Sequence, residues 1–193
     1  MQPKKIFIII GNPDANALTG RVARWYARGA NLAGHTVRML DLADAKFDPI
    51  LHRGYNKEQV LEPVLIAAQE DITWAEHIVI VYPNWWGSMP ALLKGFFDRV
   101  LLPEFAFSYD KEKLSSKGLL TGKTGRIILL MRIAGEEYRK KYPETGETVK
   151  HSILEFCGVH PVHMSEIGPS EKLASLQLDR IEEDMVKLGA EGK

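Results

Sequence analysis

The sequence predicts an α/β domain in which a parallel sheet is covered by helices on both faces, and three observations predict it. Short, β-branched, continuously apolar runs recur along the chain, amphipathic helical patterns separate them, and no internal repeat or low-complexity stretch interrupts the alternation. Strands that are apolar at every position are buried on both faces, as in parallel sheets. Right-handed crossovers then place helices above and below, giving a doubly wound sandwich. The length agrees, since 193 residues is one domain at roughly 100–200 residues each, so residues 1–193 are expected to form a single domain.

Residues 6–10 are the first strand, ended by the turn formers Gly11-Asn12-Pro13-Asp14. Residues 15–33 carry Leu18, Val22, Trp25, Tyr26 and Leu32 with Arg21, Arg24 and Arg28 between them, an amphipathic helix closed by Gly34. The second strand is 35–40. After an irregular stretch through 55, residues 57–70 read as a helix interrupted or begun at Pro63, with a further helical turn over 71–76. The third strand, 77–82, stops at Pro83. Ser88 is placed to N-cap the next helix, with Pro90 in its first turn. Met89, Leu92, Leu93, Phe96, Phe97, Val100 and Leu101 form one wide helical face there, while Lys94 and Asp98 form an i,i+4 pair off it. Residues 103–124 read as a long connection, 126–133 as the fourth strand, 147–157 as a helix, 159–167 as the fifth strand and 171–188 as the closing helix; 189–193 are expected to fray.

Composition removes several classes. With 25 basic and 25 acidic residues and zero formal net charge, the chain lacks the positive field of a dedicated nucleic-acid binder. Apolar runs such as 6–10 and 127–131 have five residues, against roughly 20 for a bilayer span. Lys4 and Lys5 precede an apolar run too short for a signal peptide. The lone Cys157 forms no intramolecular disulfide and suits a reducing compartment, so a cytoplasmic location without membrane insertion is expected. His160 and His163 lie three apart, so strand alternation puts them on opposite faces; with no Cys or carboxylate cluster at ligand spacing, no metal site is expected.

In a doubly wound sheet, ligands sit beyond the carboxyl ends of the strands, so the loops after strands one, three and four are the places for chemistry. The first, 11–19, lacks both the dinucleotide Gly-x-Gly-x-x-Gly pattern and the P-loop Gly-Lys-Ser/Thr. It keeps a helix N-terminus with short polar side chains, suited to a phosphate; alternatively its Asn and Asp residues only turn and cap the chain. The second places Trp85 and Trp86 side by side in a short loop. Adjacent side chains point apart, so at most one enters the core and the other needs a planar ligand or a neighbouring subunit, unless both pack beneath 103–124. The third offers Arg132 as a cation and Tyr138 as a hydroxyl. Residues 138–142, Tyr-Arg-Lys-Lys-Tyr, are the one compact basic patch, read as a solvated face or a partner contact.

At these loops the chain resembles the flavodoxin-like NAD(P)H:quinone oxidoreductase family. The strongest likeness is the segment 82–100, Tyr-Pro-Asn-Trp-Trp-Gly-Ser-Met-Pro-Ala-Leu-Leu-Lys-Gly-Phe-Phe-Asp-Arg-Val. Phe47-Asp48-Pro49, Phe105-Ala106-Phe107, Gly118-Leu119-Leu120-Thr121-Gly122-Lys123 and Phe156-Cys157-Gly158 support it. The resemblance implies strand order 2-1-3-4-5 with a flavin at the switch point. It implies that Asn12, Asn16, Ala17, Leu18 and Thr19 hold the flavin phosphate. Pro83, Asn84, Trp85, Trp86 and Gly87 would line the isoalloxazine, with Trp86 packing at the ring. Arg132, Ile133, Ala134, Gly135 and Tyr138 match the family's third flavin loop. The sequence departs from the family in three places: Ala17 stands where a hydroxyl residue is common, residues 132–135 replace a Thr-Thr-Gly-Gly type, and no histidine follows Tyr138 to complete a Tyr/His pair.

The implied activity is ping-pong, two-electron hydride transfer from NAD(P)H through the flavin to a quinone-like acceptor, with Tyr138 positioning substrate or stabilising charge. FMN is favoured over the alternative FAD by the short chain. With no second domain to bind nicotinamide, NAD(P)H and acceptor use one flavin face in turn. The resemblance further implies a homodimer, with Trp85 and residues 103–109 as candidate contacts. Two other roles on the same flavin stay open: an ancillary regulatory subunit with a potassium efflux transporter as partner, and an azo- or nitro-reductase.

Overall fold

The structure is a computed structural model that describes residues 2–193 apart from 111, 113, 134, 171 and 172. Along the chain run β1 (Lys5–Ile10), α1 (Leu18–Leu32), β2 (Thr36–Asp41), α2 (Pro63–Trp74), β3 (His77–Pro83), α3 (Ala91–Val100), β4 (Phe107–Asp110), β5 (Ser115–Gly118), β6 (Thr124–Leu130), α4 (Gly135–Lys141), a π-helix (Thr148–Glu155), β7 (Val162–Ile167) and α5 (Ser175–Glu191). Five of the strands form an all-parallel sheet in the order β2-β1-β3-β6-β7. Counted within that sheet, this is 2-1-3-4-5.

The continuous apolar runs follow from burial on both faces. Successive side chains of a strand point to opposite faces, and here Phe7, Ile9, Ile78, Ile80, Ile127 and Leu129 enter one core while Ile6, Ile8, Val79, Val81, Ile128 and Leu130 enter the other. The first core is closed by α2, α3 and the π-helix through Leu65, Ile72, Leu93, Phe96, Val149 and Leu154. The second is closed by α1 and α5 through Val22, Tyr26 and Met185. Those two helices cross at Gly29 and Gly189, where a Cβ on either would run into the backbone carbonyl of Val186 or of Tyr26.

Several elements differ from the sequence expectation, each for a local reason. Helix α2 is one piece over Pro63–Trp74 with Pro63 in its first turn, where a missing N–H costs nothing, so there is no break near residue 70. Ser88 does not cap α3: its backbone pairs with Trp85, the N-cap is Pro90, and the helix begins at Ala91. The expected 103–124 connection contains the antiparallel β4–β5 hairpin. The fourth sheet strand ends at Leu130, leaving Met131, Arg132 and Ile133 beyond it, and a short helix, α4, follows where none was expected. The fifth sheet strand begins at Val162, so His160 precedes it and both His160 and His163 are exposed. Leu32, assigned to the buried side of α1, is exposed. The closing helix begins at Ser175, after Ala174 at its N-cap, and not at 171, which lies outside the described residues. Its end runs to Glu191, with Gly192 in the left-handed conformation as its cap. The tail does not fray, because the Lys193 carbonyl accepts bonds from the Tyr26 hydroxyl and the Arg126 Nε.

Candidate active site

Because β1 and β6 flank β3, the loops after these three strands leave the sheet side by side. The first is tied to β3 by the Gly11 amide, which donates to the Val81 carbonyl at 2.8 Å. Asn12 is buried; its Nδ2 donates to Thr19 Oγ1 and its Oδ1 accepts from the Asp14 amide, both at 2.9 Å. Asp14 Oδ1 in turn accepts from the Asn16 amide at 2.9 Å. These side chains therefore turn the chain, but none caps α1. The N-cap is Ala17, whose methyl accepts nothing, so the positive end of the helix dipole over Leu18 and Thr19 is left without a side-chain oxygen.

In the second loop the Asn84 amide donates to the Leu130 carbonyl at 2.8 Å, and Trp85 and Ser88 exchange backbone bonds at 2.9 and 3.0 Å. Trp86 and Gly87 form the tip between them with φ of 55° and 76°, positive at both central positions as a type I′ turn demands. Glycine adopts this freely; a tryptophan there is rare. The consequence is that neither tryptophan enters the core: Trp85 is half exposed and the Trp86 indole is fully exposed. The expectation that at most one of them enters the core is met, and the alternative that both pack beneath 103–124 is not, because the turn lifts both off the sheet.

In the third loop Met131 is buried, with its amide on the Ile167 carbonyl at 2.7 Å, while Arg132 and Ile133 are exposed. Ala134 lies outside the described residues, and Gly135 begins α4. That helix brings the Tyr138 hydroxyl to Gly87, 3.7 Å from where a Cβ would stand. The Tyr138 and Tyr142 rings pack at 4.8 Å. Arg139 anchors the helix by ion pairs to Glu166 of β7 and, at 3.9 Å, to Glu147. The bond to Glu166 is the main reason its pKa rises above the ordinary arginine value.

Together the second and third loops enclose a cavity of about 630 Å³ lined by Asn84, Trp86, Gly87, Met131, Arg132, Ile133, Tyr138, Lys141 and Tyr142, within the roughly 300–1,000 Å³ of small-molecule sites. Of the residues singled out in the sequence, it gathers Asn84, Trp86, Gly87, Arg132, Ile133 and Tyr138. Pro83, Trp85 and the first-loop residues lie outside its lining. Met131, Lys141 and Tyr142 join it without having been anticipated; the helical spacing of 138, 141 and 142 was the available signal. Inside, Asn84 Oδ1 is buried without a hydrogen-bond partner, and its Nδ2 reaches only Met131 Sδ at 4.0 Å. A buried acceptor without a donor costs about 1–3 kcal/mol, and an exposed indole on a strained turn adds to that. A planar heteroaromatic group answers the exposed indole by covering its face. The uncapped α1 amides are suited to a phosphate, so the residues present fit a flavin mononucleotide.

This fold and these loops define the class. The chain belongs to the flavodoxin-like fold family, whose model matches residues 4–187. Its relatives include an NAD(P)H oxidoreductase of Haemophilus influenzae, 28% identical over 192 residues and covering 95% of this chain and 91% of the relative. The mouse ribosyldihydronicotinamide dehydrogenase [quinone] is 26% identical over 187 residues, covering 82% and 78%. Among solved structures, Smu.1420 from Streptococcus mutans superposes with a TM-score of 0.82 at 27% identity, covering 96% of this chain and 98% of that one.

Proposed function

We propose that the chain is a flavin-dependent NAD(P)H:quinone oxidoreductase acting as one domain over residues 1–193, with FMN as cofactor. The observation that carries the proposal is the Trp86 cavity, where the exposed indole and the side chains of Asn84 and Tyr138 line one space. The names of the relatives, which include quinone and NAD(P)H dehydrogenases, support the same reading. When bound, FMN supplies two-electron hydride chemistry between NAD(P)H and a quinone. The protein's part is placement: Asn12, Asn16, Ala17, Leu18 and Thr19 hold the phosphate, Trp86 and Gly87 position the ring with Asn84 as acceptor, and Pro83 and Trp85 frame the loop. Arg132 and Ile133 would line the flavin from the third loop, with Gly135 at the start of α4 beside it; Ala134 lies outside the described residues. Tyr138, facing Gly87, donates a hydrogen bond to the oxygen that gains charge as the acceptor is reduced.

Steady-state rates measured over a grid of NADH and quinone concentrations test this, since one shared face gives parallel double-reciprocal lines; intersecting lines, or no quinone-dependent oxidation, contradict it. Replacing Tyr138 with Phe removes a neutral hydrogen bond worth about 0.5–1.5 kcal/mol. Turnover with quinone is expected to fall roughly two- to tenfold with bound flavin and melting temperature unchanged.

The active form is a cytoplasmic homodimer. Supporting this, Trp85 and Tyr109 are exposed, and Tyr55, Phe107 and Phe156 line a groove of about 470 Å³ beside α3, apolar surface of the kind that subunit contacts cover. Sedimentation at micromolar concentration distinguishes dimer from monomer.

A further inference from the structure

Both charged residues among the described lining of the Trp86 cavity are basic. They are Arg132 and Lys141, set among aromatic and aliphatic neighbours. Lys141 closes α4 three residues after Tyr138, a spacing that puts both on one helix face. Its ammonium lies 5.5 Å from the Tyr142 ring centroid, and that ring packs against Tyr138. A cation–π contact of this kind holds the charge at the cavity wall. A neutral quinone gains at most a hydrogen bond from an ammonium there, whereas a planar molecule with an acid group pairs with its full charge while its ring meets the apolar walls.

Resting on the quinone-reductase reading of the same site, we infer that Lys141 is a specificity-determining residue and that the cavity favours planar acceptors bearing a sulfonate or carboxylate over neutral acceptors of the same ring. Both forms of NAD(P)H and FMN itself are also anions, so the acceptor, the donor and the cofactor are the possible sources of the recognised charge, and the inference commits to the acceptor.

The test compares FMN-loaded wild-type protein with Lys141→Gln and Lys141→Glu, using 1,2-naphthoquinone and 1,2-naphthoquinone-4-sulfonate at saturating NADH. The ratio of kcat/KM for the sulfonate to that for the neutral quinone is expected to fall about two- to fivefold in Lys141→Gln, the range of one exposed ion pair. It falls further in Lys141→Glu, and added salt erases the wild-type preference. Calorimetric titration with 2-naphthalenesulfonate and 2-naphthol gives a readout independent of turnover: sulfonate binding weakens in both variants and naphthol binding does not. An unchanged acceptor ratio overturns the inference, as does a rise confined to the KM for NADH or NADPH, which assigns Lys141 to the donor. Wild-type protein without flavin-dependent quinone turnover overturns the reading of the site instead, and the sulfonate titration then decides the charge preference alone.

Discussion

Replacing Glu62 with alanine is expected to lower the unfolding free energy by about 3 kcal/mol, the low end of what breaking a buried ion pair costs and a large part of the roughly 5–15 kcal/mol that holds a domain together. The reason is its partner. Arg99, 1% exposed, is the largest fully buried side chain among the described residues. Its guanidinium donates to Glu62 Oε2 at 2.8 Å, to Glu62 Oε1 at 3.3 Å, to the Val60 carbonyl at 2.9 Å and to the Asp48 carbonyl. Glu62 also accepts from the Asp48 amide at 3.0 Å. Without the carboxylate a full charge is left inside with only carbonyl dipoles, and the loop spanning 48–62 loses its tie to α3. The loss sits at the low end because Glu62 is itself 29% exposed, so water partly replaces it. Urea unfolding of Glu62→Ala, Arg99→Leu and the double variant measures this. The double variant should lose less than the sum of the singles; strict additivity, or a Glu62→Ala loss below about 1 kcal/mol as for a surface pair, contradicts it.

The same pair sets a pH dependence. Burial raises the Glu62 pKa, but the amides of Asp48 and of Glu62 itself, together with the Arg99 guanidinium, outweigh it and leave the pKa below the ordinary 4.5. A depressed carboxylate stabilises the fold fully above its unfolded pKa. As pH drops below 4.5 the unfolded chain takes up the proton first, and the contribution is lost as pH falls through the folded value. Glu62→Ala lacks this part of the acid slope.

The second large effect concerns the cofactor and separates it from the fold. Trp86→Gly is expected to weaken FMN binding about tenfold or more, because covering an indole face removes on the order of 100 Å² of apolar surface from water at about 25 cal/mol per Å², with ring stacking added. The apoprotein should be as stable as wild type or slightly more so. The indole makes no core contact, being fully exposed, and glycine relieves a φ of 55° that costs a side-chain-bearing residue about 1 kcal/mol or more. Fluorescence titration of apoprotein with FMN, beside thermal melts, reads both quantities. Unchanged FMN affinity, or a lower melting temperature of the apoprotein, contradicts the placement of Trp86 at the flavin.

The sheet was legible because burial on both faces writes itself into the sequence as unbroken apolar runs: residues 6–10, 77–82 and the core of 126–133 are strands, and the loops beyond the last two enclose the cavity. What escaped depends on contacts between distant residues. Arg99 is not part of the apolar face that periodicity gives α3, and only the folding of Glu62 and two carbonyls around it explains its burial. The hairpin at 107–118 has polar strands, Ser-Tyr-Asp and Ser-Ser-Lys, with no alternation to reveal them. Helix α4 is seven residues of mostly charged sequence, held by Arg139 to Glu166 and Glu147 rather than by an apolar stripe, so its basic run read as a patch. The orientation of the tryptophans turned on one positive φ at a non-glycine residue, which propensity argues against. The first loop met both readings at once: Asn12 and Asp14 turn the chain, and Ala17 leaves the helix end open.

The most direct measurement is the absorbance spectrum of the purified protein, followed by mass spectrometry of the cofactor released on denaturation. A flavin spectrum and the mass of FMN, at close to one per chain after reconstitution, is the predicted result. Protein that stays colourless after incubation with FMN and with FAD contradicts the account at its centre, and release of FAD in place of FMN contradicts the choice of cofactor while leaving the flavin site standing.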